Sequence, residues 1–151
     1  ARYFATLPYI DGKRIGIWGW SYGGYNVLMS MSRGNGIFKA GVAIAAVSDW
    51  HFYDSIYTER FMRTPQQNQS GYENGSPLKL AKQLQGNLLL IHGTADDNVH
   101  FQNAMEYTRA LVAADKQFEM FIFPDKNHSI YGGNTRSYLY KKVIDFYKQN
   151  L

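Results

Sequence analysis

The sequence predicts an α/β fold, a mainly parallel sheet of about four strands flanked by helices, and three observations carry that expectation. Apolar runs of strand length alternate along the chain with longer stretches of helical periodicity, the mark of successive βα units. One run, Lys39–Val47, is almost unbroken Ala, Val and Ile, as in a parallel strand covered on both faces. Another, Arg14–Trp18, breaks through Gly19-Trp20-Ser21-Tyr22-Gly23 straight into a helical pattern.

In chain order, residues 1–12 read as the end of a helix closed by the turn signal Asp11-Gly12. Strand one is expected at Arg14–Trp18, and a helix from Tyr22 to Arg33 stops at Gly34-Asn35-Gly36. Strand two, Lys39–Val47, ends at the helix-start signal Ser48-Asp49. Beyond it Trp50, Tyr53 and Tyr57 fall at i, i+3 and i+7, which puts three aromatics on one helical face. Residues 64–77 are polar and turn-rich and read as a surface excursion. Strand three is Asn87–His92, followed by a helix over Phe101–Ala114 with Phe101, Ala104, Met105, Leu111 and Val112 on or near its apolar face. Strand four, Gln117–Phe123, ends at Pro124-Asp125, and a last helix over Thr135–Gln149 turns Leu139, Val143 and Phe146 inward.

Composition bounds the rest. The 151 residues suit one domain, and 45% hydrophobic with 16% aromatic residues is ample for a packed core. The net charge of +4 is spread over scattered lysines and arginines, which argues against a nucleic-acid stripe. No apolar run reaches the length of a membrane span. The N-terminus, Ala1-Arg2-Tyr3-Phe4, carries neither an initiator Met nor a signal-peptide pattern, so the chain reads as cut from something longer. Without cysteine, thiol catalysis, disulfides and thiolate metal sites are excluded.

A bare Gly-x-Ser-x-Gly arises by chance in about one chain of this length in twenty. Between a strand and a helix it gains meaning. A serine hydroxyl is a poor nucleophile that needs a base for its proton and N–H groups for the developing oxyanion. A sharp strand-to-helix turn lifts the side chain clear of the sheet and aims the free N–H groups of the helix at the reacting carbonyl. Ser21 is therefore the candidate nucleophile, with Gly19 and Gly23 allowing the backbone to crowd there.

Its partners belong at the C-terminal ends of later strands. Strand three exits into Gly93-Thr94-Ala95-Asp96-Asp97-Asn98-Val99 and strand four into Asp125-Lys126-Asn127-His128. The order Ser, acid, His, with spacings of 75 and 32 residues to Asp96 and His128, is that of the α/β-hydrolase fold. His51 and His92 precede both loop acids, and His100 follows Asp96 too closely to come from another loop, which leaves His128 as the base. Between Asp96 and Asp97, composition does not choose.

Gly19-Trp20-Ser21-Tyr22-Gly23-Gly24, the stretch from Trp50 to Arg60 with its Tyr57-Thr58-Glu59-Arg60, His92-Gly93-Thr94-Ala95-Asp96-Asp97-Asn98-Val99-His100 and Asn127-His128 together resemble the prolyl oligopeptidase family, and within it the enzymes that release N-terminal dipeptides. The likeness covers nearly the whole chain. It implies Ser21 as nucleophile, Asp96 as acid and His128 as base, with the Tyr22 N–H in the oxyanion hole. It further implies that Val47, Trp50, Tyr53, Tyr57 and Val99 line a pocket for a penultimate proline and that Asn98 binds the carbonyl of the substrate's first residue. A flat aromatic cup suits a proline ring, which is rigid, apolar and without an N–H to leave unpaired. Alanine should fit less tightly and large side chains not at all.

The resemblance implies that the chain is the C-terminal part of a peptidase α/β-hydrolase domain, a partial fold whose upstream strands and β-propeller lie outside these residues. The glutamate pair that grips the substrate's amine and the tyrosine hydroxyl expected as second oxyanion donor would lie there too. Losing one such donor typically costs ~10²–10³ in turnover, so the isolated piece is expected to be feeble or inactive. The nucleophile's strand becomes an open edge, which invites a homodimer or aggregation. Peptides with penultimate proline or alanine are the implied substrates, no metal or cofactor is called for, and the family points to an extracytoplasmic or periplasmic location. An acyl-peptide hydrolase, a prolyl endopeptidase or a non-catalytic module on the same fold are the alternatives.

Overall fold

The computed structural model describes residues 1–151. Four parallel strands, β1 (Gly16–Trp20), β2 (Ala40–Ile44), β3 (Asn87–Gly93) and β4 (Glu119–Phe123), lie in the order β1-β2-β3-β4. Five helices accompany them: α1 (Tyr22–Arg33), α2 (Ser55–Met62), α3 (Gln69–Asn74), α4 (Gln102–Ala113) and α5 (Thr135–Asn150). No helix is long and apolar enough to cross a membrane.

Side-chain alternation along the central strands divides the core in two. Ala43, Leu88 and Leu90 face one side, where Val27, Leu28 and Met31 of α1 and Tyr107 and Leu111 of α4 pack on them. Val42, Ile44, Leu89 and Ile91 face the other, where Leu139, Val143 and Phe146 of α5 close over them. All five residues of β2 are buried, as a strand covered on both faces requires.

The register places Trp20, Ile44 and Ile91 in one row, so β1, β2 and β3 run out together at one end of the sheet. The ladder adds one more step there, Ser21 N–H donating to Ile44 O and Ala45 N–H to Ile91 O, both at 2.8 Å. The functional loops all leave from this edge, as ligand-binding loops do in open α/β sheets.

Several expected boundaries shift. Strand two stops at Ile44 instead of Val47 because buried Ala45 takes φ 45° and bends the chain off the sheet. Strand one runs on to Trp20, immediately before the serine. The lead-in forms a single 3₁₀ turn, Phe4–Thr6, in place of a helix end. Met105 and Val112 of α4 are exposed, since each lies one residue, about 100°, around the helix from buried Ala104 and Leu111.

β1 is an edge of the sheet. Trp18 stands 53% exposed on it, edge-on to Tyr140 with centroids 6.4 Å apart. α5 reaches this edge as well, where the Tyr147 hydroxyl donates to Ile17 O at 2.6 Å and its ring lies against Gly16.

Leu139→Ala should empty a fully buried site between α5 and the sheet and lower stability by about 2–5 kcal/mol. Ile144→Ala, on the exposed side of the same helix, should change it by less than about 0.5 kcal/mol. Urea unfolding followed by circular dichroism measures both.

Candidate active site

Ser21 sits between the last residue of β1 and the first of α1 with φ 59° and ψ −118°, outside the regions L-residues ordinarily occupy. Its carbonyl already accepts the Tyr25 N–H at 3.0 Å, so the chain enters the helix within one residue. The turn is feasible because Gly19 has no side chain: a Cβ there would collide with the Gly23 carbonyl. Gly24 is nearly as confined, since its Cβ would lie 2.8 Å from Ala46 Cβ and 2.9 Å from Ile44 O. Gly23 differs from the sequence expectation, because a Cβ on it would point into open space. What position 23 supplies is backbone close to Gly19. Tyr22 opens α1, its N–H without a partner inside the helix and at the positive end of the helix dipole.

The loops after β3 and β4 are stitched together. Thr94 N–H donates to Phe123 O and Ala95 N–H to Lys126 O, both at 3.1 Å, and Asp125 N–H donates to Thr94 Oγ1 at 2.9 Å. A Cβ on Gly93 would strike the Lys126 carbonyl, so glycine at the end of β3 permits the approach. Between the joined loops His128 Nδ1 lies 2.8 Å from Asp96 Oδ2. A carboxylate can only accept, so Nδ1 carries the proton and Nε2 is left bare. Asp97 is exposed and makes no such bond, which distinguishes the two acids that composition left equal. Trp20 Nε1 donates to His128 O at 2.9 Å, tying this loop to the residue before Ser21. The Ser21 hydroxyl itself forms no hydrogen bond to His128; in free enzymes such bonds are often long and close on bound substrate.

Asp96 is 5% exposed. Its Oδ1 accepts the N–H groups of Asn98 at 3.0 Å and Val99 at 2.9 Å. Burial pushes its carboxyl up, but hydrogen bonds from His128 and His92, the His128 charge and the Asn98 N–H outweigh that and hold it well below the usual carboxylate range.

Trp50, Tyr53 and Tyr57 do meet, though by a route other than one continuous helix. Asp49 accepts the His51 N–H and starts a 3₁₀ turn, Trp50–Phe52; Tyr53 is extended; Asp54 then accepts the Tyr57 N–H and starts α2. Two aspartate caps five residues apart break the helix that the periodicity predicts. The rings still lie at centroid distances of 6.0 Å for Trp50–Tyr53, 6.2 Å for Trp50–Tyr57 and 5.3 Å for Tyr53–Tyr57. Trp50 and Tyr57 line an apolar cleft of about 470 Å³ together with Tyr22, Tyr25, Phe61 and Met62. Tyr53 and Asn98 line a polar cleft of about 500 Å³ with His51, Asp54 and Asp97, and the Tyr53 hydroxyl donates to Asn98 Oδ1 at 2.9 Å. Burial, and after it the Asp54 charge, pushes the Tyr53 hydroxyl above the ordinary phenol value, so it stays protonated and able to donate. Val47 and Val99 are buried beneath the aromatics, packed with Trp50 and Tyr72, and form a floor behind the walls.

Three contributors were missed in the sequence. Tyr72, inside the supposed surface excursion, is 1% exposed; it donates to Arg63 O at 2.8 Å, and its ring lies 4.7 Å from that of His51. It is the only aromatic residue among 64–77, a signal that was available. Buried Asn103 accepts the Ser48 N–H at 3.0 Å and so holds the loop after β2, which no pattern announces. Tyr25 lies tilted against Tyr22 and edge-on to Trp50, with centroids 5.4 and 5.0 Å apart. No group of three or more His, Asp or Glu side chains converges to hold a metal.

A parallel sheet with a strained serine turn after one strand, and an acid and a histidine on the loops of two later strands, defines the α/β-hydrolase class of folds. Within that class the chain belongs to the prolyl oligopeptidase family, whose model matches residues 1–151. It is 46% identical to dipeptidyl peptidase 4 of Felis catus over 152 residues, which is 99% of this chain and 20% of that protein. It is 45% identical to prolyl endopeptidase FAP of Mus musculus, over 98% of this chain and 20% of that protein. The crystal structure of Porphyromonas gingivalis dipeptidyl peptidase 4 superposes with a TM-score of 0.96 at 64% identity, covering 97% of this chain and 21% of that one. The chain thus spans about a fifth of the length of these relatives.

Gly19→Ala should abolish the turn and give insoluble or unfolded protein, whereas Gly23→Ala should remain folded; soluble yield and circular dichroism separate the two. Asp96 should contribute stability with a defined pH window. Its folded carboxyl titrates below the unfolded value of about 4, so its contribution is complete above that pH and is lost as pH falls toward the folded value. The stability difference between wild type and Asp96→Asn should therefore be present at about pH 5 and shrink below about pH 4 in denaturant titrations.

Proposed function

We propose that this chain carries the catalytic triad and the proline pocket of a serine dipeptidyl peptidase, as the C-terminal part of its hydrolase domain. The observation that supports this best is the Asp96–His128 bond of 2.8 Å, held beside a strained serine and an aromatic cleft. Ser21 Oγ attacks the carbonyl of the substrate's second residue while His128 Nε2 takes its proton. Asp96 keeps the proton on Nδ1 and stabilises the imidazolium. The Tyr22 N–H, at the start of α1, donates to the oxyanion. His128 then returns the proton to the leaving amine, and water, activated by the same imidazole, hydrolyses the acyl-enzyme to free the dipeptide and regenerate Ser21.

Trp50 and Tyr57 hold the penultimate proline or alanine against the floor of Val47 and Val99, and Tyr53 orients Asn98 toward the carbonyl of the first residue. Taken alone, the chain exposes the β1 edge with Trp18, which would support self-association of two copies of this piece; in a longer chain, upstream strands would pair with that edge. The likeness to prolyl endopeptidase FAP supports a second reading, in which blocked peptides are cut internally after proline.

The test uses the full-length protein, a fluorophosphonate serine probe, and Xaa-Pro chromogenic substrates with free and acetylated amines. Wild type should take up one adduct, Ser21→Ala none, and the free-amine substrate should turn over at least about tenfold faster than the blocked one. Equal rates on both would favour the endopeptidase. Absence of an adduct and of turnover in a folded full-length protein would eliminate the hydrolase reading.

A further inference from the structure

Asp96 has a second imidazole on it. His92, the next-to-last residue of β3, is 1% exposed. Its Nε2 lies 2.8 Å from Val99 O and 3.3 Å from Asp96 Oδ2. Both are acceptors under working conditions, one a carbonyl and the other a carboxylate, so Nε2 carries a proton, which it donates to Val99 O while standing within reach of Asp96 Oδ2. Phe101 meets the ring edge-on at 5.7 Å and restricts its rotation.

The carboxylate therefore faces four N–H groups: Asn98 and Val99 on Oδ1, His128 and His92 on Oδ2. The two backbone donors belong to the same short loop and hold one oxygen. They leave the other free to swing about that anchor, and Oδ2 is the oxygen that must aim at His128. His92 reaches Oδ2 from β3 itself, a rigid element paired on both sides. A histidine present only to fill the core would be satisfied by Val99 O alone.

We propose that His92 is a positioning residue for the hydrolytic reaction, its Nε2–H pinning Asp96 Oδ2 in line with His128 Nδ1 while the same proton anchors the far end of the loop at Val99. The inference rests on the reading of Asp96 as the triad acid. It assigns a distinct role to each histidine of the pair: His128 moves a proton, and His92 keeps its proton throughout.

The experiment uses the full-length enzyme, with kcat and KM on a free-amine Xaa-Pro substrate and the rate of fluorophosphonate labelling, for wild type, His92→Met, His92→Gln, Asp96→Asn and the His92→Met/Asp96→Asn double variant. Met fills the site without a donor, and the Gln amide nitrogen reaches the place of Nε2. His92→Met should lower kcat about 10–100-fold with KM changed less than about twofold, as outer partners of reactive groups do. His92→Gln should stay within about fivefold of wild type. In the Asp96→Asn background the further loss from His92→Met should vanish, because the residue acts through Asp96. A full multiplicative loss in that background, a KM effect with kcat unchanged, or a folded His92→Met at wild-type kcat would each overturn the proposal. If His92→Met does not fold, His92→Gln decides, and a loss beyond fivefold overturns it. Wild-type protein that is not labelled at all would overturn the hydrolase reading itself, which separates the two failures.

Discussion

Between β1 and α1 the backbone folds back so tightly that a Cβ on Gly19 would occupy the space of the Gly23 carbonyl, and Ser21 is driven to φ 59° at the apex. A conformation of that kind costs about 1–3 kcal/mol and persists only where the surroundings over-determine it. Here they do. Ser21 N–H is tied to Ile44 O, Gly24 is wedged against Ala46 and Ile44, and α1 buries Val27, Leu28 and Met31 under the sheet. The strain is localised at the candidate nucleophile, with well-packed elements on both sides.

The parallel register extends that local constraint into a site. Because the strands run out at the same end, the turn after β1 and the loops after β2, β3 and β4 share one edge. The loops then fasten to each other: β3 to β4 through Thr94 and Ala95, the His128 loop to β1 through the Trp20 indole, and the β2 loop to α4 through Asn103. Asp96 stands at the middle of this web, with every donor it faces coming from its own loop or from a histidine. The aromatic cleft is built in the same way. Trp50 belongs to both the buried cluster and the open wall, so rigidity of the core is passed directly to the pocket.

Much of this was legible in the residues. The four strands and the helices that follow them were readable because a parallel sheet leaves apolar runs and because helices leave a 3.6-residue period. Ser21, His128 and the pair Asp96 and Asp97 stood out because chemistry restricts which residue types appear after which strand, and the family resemblance implied Asp96 of the two. The path of the aromatic stretch was misjudged: its i, i+3, i+7 spacing suggested one helix, while the Asp49 and Asp54 side chains captured backbone N–H groups and broke it in two. The rings converge all the same, because tertiary packing against Val47 and Val99 gathers them from two short segments.

The sequence by itself determined the order of elements, the serine turn and the candidates for acid and base, since each rests on local periodicity, on glycine's lack of a side chain or on the reactivity of a residue type. Only the tertiary structure decided which oxygen of Asp96 meets which histidine, that His92 shares that carboxylate, that Tyr72 is a core residue and that Val47 and Val99 lie behind the pocket. Those facts depend on distances between segments far apart in the chain. Such distances are set by loop closure and packing, which leave no periodic trace in the residues they bring together.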